Sequence, residues 1–199
     1  MKIRDFQRKM KKDIFTTPQA HVVGFRDDPK VLNLQLHQWE RKGEIIRLKR
    51  GVYLFAGKHP SEIEVARGLY GPGYFSLEYA LSFYGIIPEA VFTYTLVTPK
   101  LTRFFKTPLG SFHYQKIKKE AFTGFDSQSL MAEKEKALVD YFYLNSSKLH
   151  MDPIFWEASR LEAKVTGVNF KKVFRYAKLF RSPRLIALLT DFQSYARSH

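Results

Sequence analysis

Apolar residues recur along the chain in two rhythms, and the change between them marks the predicted elements. From about Ile3 to Lys12, the positions Ile3, Phe6 and Met10 follow a helical spacing among basic neighbours. Thr17-Pro18 opens a second helix to about Val23, and Asp28-Pro29 a third to about Lys42; each pairs an N-cap side chain with proline at the first helical position. Gly43 stops the third helix by accepting the left-handed conformation that other residues avoid. Two β-rich runs follow, Glu44–Leu48 and Val52–Phe55, joined by Lys49-Arg50-Gly51. Three short helices and a basic hairpin predict a winged helix-turn-helix over residues 1–57.

Between Gly57 and Pro60 the residues turn small and loop-forming, which places a junction there and a second domain over residues 58–199. That domain begins with a helix over Ser61–Tyr70, broken by Gly71-Pro72-Gly73, and a helix capped by Ser76 and running to Tyr84. Strands over Val91–Val97 and Ser111–Ile117 come next, with Thr107–Gly110 as the turn before the second. Helices over Ser129–Leu144, Asp152–Leu161, Phe170–Phe180 and Arg184–Arg197 close the chain. The expected fold class is α+β: a winged helix-turn-helix followed by a mixed α/β domain with early strands and late helices.

Charge gives the first segment a partner class. The chain carries 33 Lys and Arg against 19 Asp and Glu, a net +14, and residues 1–60 hold 14 against 6. Such a field attracts polyanions. The sequence has no cysteine, which removes disulfides and thiolate chemistry and fits a reducing compartment, with the cytoplasm as the expected location. Residues 1–12 contain no apolar run long enough for a signal peptide or a membrane span, so no membrane role is expected.

On the third helix Leu32, Leu36 and Trp39 form one stripe, which must face the core. Lys30, Leu34, His37 and Arg41 fall on the opposite side, flanked by Asn33 and Gln38. Asn and Gln can pair with adenine, Arg with guanine, and a leucine can touch a thymine methyl, while Lys30 suits a phosphate. An ordinary solvated face has the same composition. Arg47, Lys49 and Arg50 give the hairpin tip three cations for the DNA backbone or minor groove, although such charges also protect edge strands.

Four stretches carry a family resemblance: Arg41–Tyr53, Phe75–Pro88, Thr107–Tyr114 and Ala132–Asp140. In this order they resemble the type IV abortive-infection antitoxins called AbiEi, which join an N-terminal winged helix to a C-terminal antitoxin domain. The resemblance implies a repressor of its own operon, bound to double-stranded promoter DNA. It also implies a nucleotidyltransferase-like toxin that the protein counteracts, without requiring a tight complex between the two.

The same stretches also have packing readings. Leu77, Ala80, Leu81 and Tyr84 form a buried stripe behind Ser76. Glu135 shares a side with Leu138, Val139 and Phe142, so its carboxylate is expected in a structural ion pair or as a loop anchor. Glu133-Lys134-Glu135-Lys136 otherwise reads as a charged helix face, and Asp140 is placed to pair with Lys136. Near the C-terminus Lys171, Lys172, Arg175, Lys178, Arg181 and Arg184 run without an intervening acid, which gives either a solvated face or a second basic surface for DNA or an acidic partner.

None of the six histidines forms a pair at metal-binding helical spacing, and no phosphate-cradling loop or nucleophile elbow is present. Neither metal, cofactor nor enzymatic activity is expected. A protein-interaction module without sequence-specific DNA binding, or an RNA-binding protein stacking its aromatics on bases, are the alternatives.

Overall fold

The computed structural model describes residues 1–24, 29–159, 161 and 167–198. The fold is α+β, and the chain divides into two compact units: Met1–Gly71 with Phe105–Leu109, and Pro72–Phe104 with Gly110–His199. The helix after the expected junction at residues 57–60 therefore lies within the first unit.

The first unit runs α1 (Ile3–Met10), β1 (Ile14–Thr16), α2 (Thr17–Gly24), α3 (Pro29–Arg41), β2 (Ile45–Lys49), β3 (Val52–Phe55) and α4 (Glu62–Leu69). All pairings in its sheet are antiparallel, and the order is β1-β3-β2, with Phe15 opposite Tyr53 and Ile46 opposite Leu54. The α2 cap is one residue earlier than the sequence reading placed it. Thr16 Oγ accepts from Gln19 N–H at 3.4 Å and Gln19 Oε1 accepts from Thr16 N–H at 2.9 Å, a reciprocal capping box that leaves Thr17 inside the helix. Asp28, the expected cap of α3, lies outside the described residues.

An aromatic cluster holds this unit together. Phe6 meets Phe15 edge-on at 5.3 Å between ring centres and Trp39 at 5.1 Å, and Phe15 lies 4.8 Å from Phe55. One helix, the short β1 strand, α3 and the hairpin thus share one set of rings. At Gly68 of α4 a Cβ would come within 2.7 Å of Ile14 Cγ2, so only glycine allows this approach of helix to strand.

The second unit contains β4 (Tyr74–Phe75), α5 (Leu77–Phe83), β5 (Thr93–Thr98), β6 (Arg103–Thr107), β7 (Gly110–Lys116), a single 3-10 turn at Lys119–Ala121, α6 (Lys134–Leu144), α7 (Pro153–Ser159), α8 (Phe170–Lys178) and α9 (Pro183–Ser198). The sheet order is β4-β5-β7-β6, with β5 and β7 parallel from Thr93 opposite Ser111 to Thr98 opposite Lys116. The distal residues of β6 count with the first unit. The core gathers Leu81, Leu138, Phe142, Trp156, Val173, Leu188 and Phe192, contributed by α5 through α9, with Phe180 from the turn after α8.

The helix expected from Ser129 starts only at Lys134. Ser129 instead closes a turn on Asp126, whose Oδ1 accepts from Ser129 N–H at 2.7 Å, and the following residues extend beside β4, where Ala132 N–H reaches Phe75 O at 2.9 Å. The backbone groups of residues 130–132 are spent on bridging, so they are not available to a helix. Among the described residues no helix is long and apolar enough to cross a membrane.

Candidate nucleic-acid interface

The sequence sorts α3 into two faces, and each residue lies where that sorting requires. Leu32, Leu36 and Trp39 are buried in the aromatic core. Lys30, Asn33, Leu34, His37, Gln38 and Arg41 are all exposed. From Lys30 to Arg41 this face extends about 16 Å at the helical rise. The helix ends in a Schellman motif: Glu44 N–H donates to Trp39 O at 2.9 Å, Gly43 N–H to Glu40 O at 3.0 Å, and Gly43 has φ of +68°.

The hairpin divides its three cations. Arg47 and Arg50 are exposed, Arg50 in the turn that Gly51 completes with φ of +77°. Lys49 is half-buried, with Nζ 4.5 Å from the centre of the Phe105 ring and 5.8 Å from that of Tyr70, both in the same compact unit. A bulge between Arg47 and Lys49 turns this side chain away from the ladder's alternation. The lysine thus lies over aromatic faces, a contact that the local sequence does not disclose.

Two cations of the C-terminal run make contacts within the fold. Lys172 is paired with Glu133 at 2.6 Å and lies 3.8 Å from Glu135, and Arg184 donates from Nε to Ser146 O at 2.9 Å and from Nη2 to Leu149 O at 3.3 Å. Both are structural contacts. Lys171, Arg175, Lys178 and Arg181 are exposed on α8 and the turn after it, and Arg175 lies 5.5 Å from the Tyr176 ring centre.

Around Lys172 the charges reinforce one another. Glu133 is pushed up by burial, but hydrogen bonds from Lys172 and from Tyr176, at 2.6 Å, outweigh this and hold its carboxyl below the ordinary value. The hydrogen bond to Glu133 raises Lys172 above its ordinary value. Glu135 anchors the adjoining loop, as Oε1 accepts from Asn169 N–H at 3.2 Å.

The stretches Phe75–Pro88 and Ala132–Asp140 converge on a buried polar cluster. Lys136 and Asp140 form an ion pair on α6, both with no exposure. Asp140 Oδ2 accepts from Tyr74 and from Ser76, each at 2.9 Å, and Lys136 Nζ donates to Tyr74 Oη at 2.7 Å. Burial raises Asp140 and lowers Lys136, each against the pull of its partner. Ser76 makes no side-chain cap bond to α5, so its hydroxyl serves the carboxylate instead of the expected helix cap. Lys136 belongs to the core and not to the charged face expected for residues 133–136.

A serine hydroxyl bonded to a carboxylate is a nucleophile arrangement in an open cleft, but all four of these side chains are at 0 % exposure and no substrate can reach them. Tyr74 and Ser76 were missed as members of this cluster because nothing in the local sequence links them to residues more than sixty positions away. Among the described residues no group of three or more His, Asp or Glu is placed to hold a metal ion. Compared with known proteins, the chain matches no family model and no curated sequence.

Proposed function

We propose that this chain is a transcriptional autorepressor that binds double-stranded promoter DNA through α3, and that it acts without catalysis as the antitoxin to a nucleotidyltransferase-like toxin in the cytoplasm. The observation that carries the DNA half is the outward face of α3, where Lys30, Asn33, Leu34, His37, Gln38 and Arg41 are exposed together while the core residues of the helix are buried. These are the side-chain types that read base edges in the major groove. The order α1-β1-α2-α3-β2-β3, with an antiparallel three-stranded sheet, supports reading this unit as a winged helix-turn-helix, a fold in which such a helix enters the groove. Arg47 and Arg50 on the hairpin suit phosphates alongside.

The antitoxin half rests on the resemblance of Phe75–Pro88, Thr107–Tyr114 and Ala132–Asp140 to that family. Much of the first and last of these stretches packs the second unit, so they supply a scaffold for antagonism. The exposed Lys171, Arg175, Lys178 and Arg181 suit an acidic partner surface or additional phosphates.

The test is a salt-dependent binding titration of the full chain against its own upstream promoter and a scrambled duplex. Preferential promoter binding, lost on replacing His37 and Arg41, supports the repressor. Equal binding of both duplexes at every salt concentration reduces the basic face to non-specific charge.

A further inference from the structure

The outward face of α3 is not uniformly polar. Val31 is 50 % exposed and Leu34 58 % exposed, three residues apart and therefore neighbours on one side of the helix. Gln38, four residues beyond Leu34, is exposed on the same side. Leu32, Leu36 and Trp39 already fill the core at 1–2 % exposure, so the fold does not require apolar side chains at 31 and 34.

The surrounding charge selects what covers this pair. Lys30, Arg41, Arg47 and Arg50 are exposed in the same unit, and residues 1–60 hold 14 basic against 6 acidic side chains. A second copy of this face would set those cations against themselves. Duplex DNA presents phosphates to the cations and, on the floor of the major groove, one apolar group: the C5 methyl of thymine.

Resting on the DNA-binding reading above, we propose that Val31 and Leu34 together form a thymine-methyl reader. The two side chains pack on the C5 methyls of neighbouring thymines while Gln38 pairs with N6 and N7 of an adenine beside them. The half-site under this side of α3 is therefore A·T-rich, and the two apolar residues, with no hydrogen-bonding capacity in their side chains, are specificity determinants.

The experiment compares the full chain on three duplexes: the native promoter, the same promoter with deoxyuridine for every thymine, and a scrambled sequence. Deoxyuridine keeps each Watson–Crick bond and each phosphate and removes only the methyl. Losing two methyl contacts weakens binding about tenfold. The Val31→Ala, Leu34→Ala double variant, with a melting temperature matching that of the unmodified protein, is expected to bind thymine and deoxyuridine promoters equally.

Equal affinity of the unmodified protein for both promoter forms, with the promoter still preferred over the scrambled duplex, overturns the methyl reader and leaves the repressor standing. Loss of preference for the promoter itself takes down both. A change in sedimentation mass in the double variant, with the thymine-to-deoxyuridine ratio unaltered, makes the face a contact between copies and overturns the inference.

Discussion

Lys136 and Asp140, one turn apart on α6, form an ion pair in which neither side chain is exposed to water. Burial opposes both charges, and the pair persists because Tyr74 and Ser76 supply further hydrogen bonds. Removing one partner strands the other. Lys136→Met and Asp140→Asn are each expected to cost about 3–5 kcal/mol, and the double replacement Lys136→Met, Asp140→Leu less than the worse single. Denaturant unfolding of the full chain measures this. Equal and small losses in all three variants would mean that the charges are not paired in the folded protein.

The two faces of α3 predict opposite responses to truncation. Trp39→Ala removes a ring packed on Phe6 and is expected to cost about 3–5 kcal/mol, whereas Leu34→Ala, more than half exposed, stays within about 0.5 kcal/mol. Thermal or denaturant melts compare them directly. A destabilising Leu34→Ala would turn the outward face inward and remove the basis for DNA reading.

Glu133 and Lys172 set two arms of a pH profile. The lowered Glu133 pKa means that its stabilisation is present above the ordinary carboxylate range and is lost as pH falls through the folded value. The raised Lys172 pKa means that its stabilisation is present below the ordinary lysine range and is lost as pH rises through the folded value. The Lys172 and Glu133 side chains are 31 % and 41 % exposed, so solvent screening holds the effect to about 1 kcal/mol or less. Lys172→Met is expected to remove the alkaline arm of stability against pH and to shrink the acid arm, part of which the Tyr176 hydrogen bond to Glu133 retains. An unchanged alkaline arm would contradict the pairing.

At Gly43 a Cβ would meet no heavy atom within 4 Å, so Gly43→Ala tests backbone strain alone. The left-handed φ predicts a loss of about 1–2 kcal/mol. Asparagine at the same position is expected to recover part of it, because its side chain tolerates this conformation better than alanine. Equal stability of the glycine and alanine proteins would mean that the helix does not end in this turn.

Longer periodic stretches were legible in the sequence. The alternation of Leu32, Leu36 and Trp39 with polar neighbours fixes which side of α3 is buried, and Gly43 marks its end. The short or long-range features were not. Ile14-Phe15-Thr16 is too brief to establish a period, and becomes a strand only because Leu54, Tyr53 and Val52 pair with it. Likewise β4 has two residues, and β6 reads Arg-Phe-Phe-Lys-Thr without strict alternation. In the candidate interface the exposed stripe follows from helix geometry alone, whereas the diversion of Lys49 to Phe105 and of Arg184 to backbone carbonyls depends on residues distant in sequence.

The turn at Gly43 also acts as a joint with no play. Only residues 42–44 separate α3 from β2, all three of their N–H groups are tied back to the helix, and Glu44 O accepts from Ala56 N–H at 3.0 Å. Helix and hairpin therefore move as a single lever. Under the DNA-binding reading proposed above, such a lever would not seat its helix first and lower its hairpin afterwards, and the two contacts would arrive and depart together. A longer, looser joint would leave every contacting side chain in place and still divide one cooperative engagement into two weak ones.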